Sequence, residues 1–111
     1  MFEVRQYLAS DGFNPFLSWL KKLRDPKAKV AVVRRLNRLE EGNFGDHRSV
    51  GGGVWELRID TGPGYRAYYA KAGKFVILLL CAGDKASQSD DIDIAKVRWI
   101  DWQSRQRKEA E

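Results

Sequence analysis

From Phe75 to Ala82 the chain reads Phe-Val-Ile-Leu-Leu-Leu-Cys-Ala, without one polar side chain. The run is strand-length and far short of a membrane span, so it predicts a β-strand at the centre of a sheet. Ala72-Gly73 makes a tight turn into it, and Gly83-Asp84-Lys85 leads out. Upstream, Val54 to Asp60 alternates apolar with polar residues, Thr61-Gly62-Pro63-Gly64 supplies turn chemistry, and Tyr65 to Ala70 runs back. Short turns make successive strands antiparallel neighbours, so the segment predicts a three-stranded meander.

Helices flank this meander. Phe2/Val4 against Glu3/Arg5 marks a half-buried first strand, Phe2 to Tyr7. Asn14-Pro15 is a cap followed by a proline suited to the first helical position, and Phe16, Trp19, Leu20 and Leu23 form one apolar face. Asp25-Pro26 repeats the signal and opens a second helix that ends at Gly42. Its expected buried stripe is Val32, Leu36 and Leu39, with Val33 at the margin, while Lys27, Arg34 and Arg38 project from the opposite side. Ser87 and Ser89 are cap candidates for a last helix carrying Ile92, Ala95, Trp99 and Trp102. The charged tail from Gln103 to Glu111 is expected to fray. The order is strand, two helices, meander, helix: an α+β domain over residues 1–102 with helices on one sheet face, followed by the polar tail 103–111.

Phe44 to Gly53 reads as a loop holding the only histidine, His47, and the run Gly51-Gly52-Gly53. The glycines lead into a strand rather than a helix, so they lack the context of a phosphate-binding loop and read as a flexible approach. Cys81 has no partner for a disulfide and sits in the apolar run, where a thiol serves as a small hydrophobe. The N-terminus, Met1-Phe2-Glu3-Val4-Arg5-Gln6-Tyr7, is too polar for a signal peptide. A cytoplasmic protein that needs no membrane is the expectation.

The formal net charge is +5, which favours polyanionic partners. The placement of charge says more. Trp55, Tyr65, Tyr68 and Tyr69 are interleaved with Arg58 and Arg66, and bases stack on aromatic faces while cations hold phosphates. Strand alternation puts Glu56, Arg58 and Asp60 on one face, and Arg66 with Tyr68 on one face of the next strand. These sets are expected to meet on the open side of the sheet, overhung by Lys85. A solvent-facing sheet laced with Glu–Arg pairs satisfies the same pattern. Trp55 and Tyr65 share parity with apolar neighbours and read as core.

Gly53-Val54-Trp55-Glu56-Leu57-Arg58, Gly64-Tyr65-Arg66-Ala67-Tyr68-Tyr69 and the apolar strand ending Gly83-Asp84-Lys85 together resemble the RelE/ParE toxin superfamily. The likeness is greatest to the branch of addiction-module killer proteins, related to HigB toxins and phage Gp49-like proteins, and it covers nearly the whole chain. It implies a fold of the microbial-ribonuclease type and a metal-independent cut of mRNA, commonly on the ribosome. The partner it implies is an antitoxin, often with a helix-turn-helix domain. No cofactor and no metal are implied. The family's basic positions fall on Arg66, Arg58 and Lys85. This chain departs from relatives that carry a lysine beside the first arginine, where it has Glu56. It also departs from those with a catalytic tyrosine near the last helix, where it has Asp90, Asp91 and Ile92.

Cutting RNA without a metal requires the 2′-hydroxyl deprotonated, charge on the phosphorane stabilised, and the 5′-oxygen protonated as it leaves. Guanidinium forks match phosphate oxygens, so Arg58 and Arg66 suit the second task. Lys85 suits the same task, or donates the proton if neighbouring cations lower its pKa. Glu56 is either the base or the group that holds Arg58. Tyr68, Arg34 and Arg38 are the candidate RNA-binding residues. A ParE-like gyrase poison and a toxin-derived binding module without catalysis are the competing readings.

Overall fold

The structure, a computed structural model that describes residues 1–110, contains five strands and three helices. In chain order they are β1 (Glu3–Gln6), α1 (Pro15–Lys22), α2 (Pro26–Glu40), β2 (His47–Gly51), β3 (Val54–Ile59), β4 (Tyr65–Gly73), β5 (Val76–Asp84) and α3 (Gln88–Ala110). They form one open sheet in the order β1-β5-β4-β3-β2, with β1 parallel to β5 and the other neighbours antiparallel. The meander is therefore present and the apolar run lies inside the sheet, between β1 and β4.

Both helix starts act as their sequences predict. The Asn14 side chain accepts from the Leu17 amide and that of Asp25 from the Lys27 amide, with Pro15 and Pro26 just inside. On α2, Val32 and Leu39 are buried and Leu36 is half-buried. Ala28 and Arg35 complete the buried stripe, the arginine against the expectation from sequence.

The expectation of helices on one sheet face is corrected. Phe16 of α1 and Val32 and Leu39 of α2 pack with Leu57, Ile59, Tyr69, Ile77 and Leu79 on one side. Ala95 and Trp99 of α3 pack with Tyr7, Val54, Tyr68, Ala70, Leu78 and Leu80 on the other. The cause lies in β5, where Ile77 through Gly83 are all buried; a strand apolar on both sides needs cover on both. A β-bulge leaves Leu80 without a partner in β4, so Leu80 and its neighbour Cys81 both turn toward α3.

Two further expectations change. The segment read as a loop contains β2, an edge strand paired with β3; Gly51 ends that strand opposite Val54, and Gly52-Gly53 is the hairpin connection. Its His47, Arg48 and Ser49 are exposed, so no apolar alternation marks it. The tail does not fray at Gln103, because α3 continues to Ala110. Arg105 pairs with Asp101 one turn earlier at 2.8 Å, donates to the Leu8 carbonyl at 2.6 Å, and lies over the Tyr7 ring. The Tyr7 hydroxyl closes this staple by donating to Asp101 at 2.6 Å. Glu111, the last residue of the tail, lies outside the described residues. Among the described residues no helix is long and apolar enough to cross a membrane.

Candidate functional site

The hairpin of β3 and β4 sets Glu56 opposite Tyr68 and Arg58 opposite Arg66, while β2 sets Arg48 opposite Glu56. Facing pairs share a side of the sheet, so these five side chains converge on the α3 face. Arginines directly opposed repel one another, and Glu56 offsets this by standing between them.

Glu56 is the hub of the cluster and is fully buried. Its Oε1 accepts from Arg48 Nε at 2.9 Å and from Arg58 Nε at 3.4 Å. Its Oε2 accepts from the Tyr68 hydroxyl at 3.2 Å and from Gln88 Nε2 at 2.8 Å, and Arg66 Nε lies 3.7 Å away. Burial pushes the Glu56 carboxyl up. The hydrogen bonds from Arg48 and Gln88, the Arg48 charge and the Arg58 hydrogen bond outweigh burial and hold it below its ordinary range. A carboxylate so occupied is suited to holding arginines.

Tyr68 is fully buried, which corrects its reading as an RNA-stacking residue. Burial, then the charge and hydrogen bond of Glu56, push its ionisation far above that of an ordinary tyrosine, so it stays a neutral donor. The cluster is also less open than its sequence suggests, because the first turn of α3 lies across it. Gln88 bonds Glu56, and Asp91 and Ser87 sit over Gly83, where a β-carbon would meet Asp91 Oδ2 at 1.9 Å. Gly83→Ala is therefore expected to push aside the Asp91 and Ser87 side chains of that turn, break the hydrogen bond between them and cost about 1 kcal/mol, read by urea denaturation. Unchanged stability would show that the turn is loosely seated.

Exposure separates the three arginines. Arg48 and Arg58 are 50% and 43% exposed, whereas Arg66 is 12% exposed, with Nε and Nη1 buried and without a hydrogen-bond partner. Leaving such donors unmet is costly, and the cost is recovered when an acceptor arrives. Arg66 lines a pocket of about 310 Å³ with Arg58, Gly64 and Tyr65. Through Asp46, Arg58, Ile59 and Asp60 this pocket adjoins a cleft of about 400 Å³ that reaches Arg34, Arg35 and Arg38 on α2. Arg34 and Arg38 are exposed there.

Lys85 is exposed and follows Asp84, the register partner of Tyr65, so it lies at the rim. No hydrogen bond or salt bridge draws it into the cluster. Trp55 and Tyr65 pack against the core, as their parity predicts. His47 lies against Trp55, with ring centroids 5.2 Å apart. Burial pushes the Cys81 thiol up to about 12, consistent with a structural thiol. Among the described residues no group of three His, Cys, Asp or Glu side chains is placed to hold a metal ion. Arg48 and Gln88 were missed from sequence. The first sits on an unrecognised edge strand, and the second is brought in only by the packing of α3.

A small open mixed sheet with an arginine cluster built on a buried glutamate defines the class: an α+β protein with a cationic cluster near the end of a β-hairpin. The chain belongs to the family described as Phage derived protein Gp49-like (DUF891), which matches residues 18–99 and so spans the whole cluster. It is similar to a protein of Haemophilus influenzae described as an uncharacterized protein, 49% identical over 82 residues, covering 74% of this chain and 83% of that one.

Proposed function

We propose that this protein is the toxin of a type II toxin–antitoxin pair, a metal-independent endoribonuclease of the HigB-like branch of the RelE/ParE superfamily that cuts mRNA on the ribosome. Membership of the Gp49-like family supports a toxin–antitoxin-type protein. The observation that carries the nuclease reading is Arg66, a nearly buried guanidinium with two unmet donors lining an arginine-rich pocket. Such preorganised donors stabilise a phosphorane without reorganising during the reaction. Arg58 adds a second, more accessible fork, and Glu56 positions both. Lys85, at the rim, is the candidate to protonate the leaving 5′-oxygen. With Glu56 committed to its arginines, the cluster supplies charge stabilisation rather than a base. The 2′-hydroxyl proton then passes to water or to a group of the ribosome–mRNA complex, which also holds the RNA in line. The antitoxin is expected to carry acidic surface, and commonly a helix-turn-helix domain, to cover this basic face.

Translation reactions supplemented with the purified protein, followed by primer extension, test this reading. Discrete protein-dependent 5′ ends on the mRNA are expected, along with growth arrest when the protein is expressed without its partner. Intact mRNA beside inhibited supercoiling would point to a gyrase poison. Intact mRNA with RNA bound would point to a binding module. Either result overturns the nuclease.

A further inference from the structure

The cleft between α2 and the end of β3 contains a charge that the catalytic proposal leaves unused. Arg35 is 8% exposed. Its Nε donates to the Arg58 carbonyl at 3.3 Å, and its Nη2 to the carbonyls of Phe44 and, at 3.4 Å, Asp46. Its Nη1 is buried without a partner. The guanidinium lies so close over Gly45 that a β-carbon there would meet Nη2 at 2.5 Å, so the loop is shaped around it.

Carbonyls satisfy donors but do not neutralise a cation. Among the described residues Arg35 has no salt bridge. The nearest cations make this worse: Arg34 and Arg38 line the same cleft, with Arg58 at its end. Burial, then the charge of Arg38, lower the Arg35 pKa, with Asp46 and Tyr69 opposing. Asp46 and Asp60 also line the cleft, yet neither forms a salt bridge with any of the arginines. With Arg58 paired to Glu56, the three other guanidiniums against two carboxylates still leave the cleft positive. A buried cation among like charges is expensive, and an anion is what offsets it.

We propose that this cleft is a second phosphate site, in which Arg35 with Arg34 and Arg38 holds an RNA phosphodiester next to the one at Arg66. The proposal rests on the nuclease reading for its ligand and extends it to a substrate of several nucleotides. The two pockets share Arg58, so one strand can run from the cleft to the cluster without leaving the protein. Arg35 is the positioning cation of the subsite, and Arg34 and Arg38 are its accessible forks.

Titration of the full chain with inorganic phosphate at constant ionic strength, followed through the arginine Nε–H resonances, reads the site without requiring catalysis. Saturable shifts are expected at Arg35 and, separately, at Arg66. Arg34→Gln/Arg38→Gln alters exposed side chains, so its thermal melt should match the parent. It should abolish the Arg35 shift and leave that at Arg66. A 2′-deoxy oligonucleotide, which cannot be cut, should bind the double variant about tenfold more weakly. The slope of log K against log salt should shrink by about 0.7, as for one lost phosphate contact on a single strand. No saturable Arg35 shift, an equal shift in the double variant, or a shift with a polyglutamate peptide but not with phosphate would overturn the proposal. A shift at Arg35 with intact mRNA would uphold the site and sink the nuclease. Cleaved mRNA with no shift at Arg35 would do the reverse.

Discussion

Arg66→Ala is expected to slow RNA cleavage by about two to three orders of magnitude, the usual loss when one preorganised electrostatic donor is removed. The guanidinium matters because it is 12% exposed and two of its nitrogens, Nε and Nη1, make no hydrogen bond, so on the proposed reading it would meet a phosphate at little cost in lost solvation. Stability should fall only modestly: a nearly buried side chain is truncated, but Arg48 and Arg58 still pair with Glu56. The variant forfeits a 3.7 Å attraction to Glu56 and also relieves repulsion from Arg58, its register partner. Arg66→Lys should restore only part of the rate, because a point charge cannot reproduce a bidentate fork. Single-turnover cleavage beside a thermal melt of each variant decides the matter. Full activity in the alanine variant, or a melt collapse large enough to account for the loss, would make Arg66 structural.

Glu56→Gln is expected to have the largest effect on the fold itself. The change keeps the shape of the side chain and removes the one negative charge that faces Arg48, Arg58 and Arg66. Removing one partner of a buried ion pair costs roughly 3–5 kcal/mol. Arg48 and Arg58 are about half exposed and regain water, so a loss near the lower end, about 3 kcal/mol, is expected. The pH dependence separates charge from packing. The folded-state pKa of Glu56 is depressed, so its stabilisation is fully present above the ordinary carboxylate range and is lost as pH falls through the lower folded value. The gap between parent and variant should therefore narrow in acid. A gap that stays constant across the whole range would assign the loss to packing.

Much of the site was legible because strand parity is strictly periodic. Once Val54–Asp60 and Tyr65–Ala70 are read as a hairpin, Glu56, Arg58, Arg66 and Tyr68 must share a face. Parity does not reveal depth. The same alternation serves a solvated face and a covered one, so Tyr68 reads as accessible and is in fact fully buried. Two signals for the missed parts were present. Ala28, Val32, Arg35 and Leu39 follow helical spacing, which places Arg35 on the buried stripe, and only the habit of reading arginine as surface hid it. Gly51-Gly52-Gly53 between two short segments is compatible with a hairpin connection, which would have added β2 and with it Arg48.

The sequence by itself determined the elements whose causes are local. Asn14-Pro15 and Asp25-Pro26 start helices because cap and proline act within one turn. The meander follows from alternation and turn residues a few positions apart. The tertiary structure decided whatever depends on which surface meets which. It put α3 on the face opposite α1 and α2, because β5 buries side chains on both sides. It kept α3 helical to Ala110 through contacts of Arg105 and Asp101 with residues nearly a chain length away. It also gathered four hydrogen-bond donors around the Glu56 carboxylate. That outcome required Arg48 from an edge strand and Gln88 from the last helix to arrive at the same two oxygens, and no periodicity within β3 encodes their arrival.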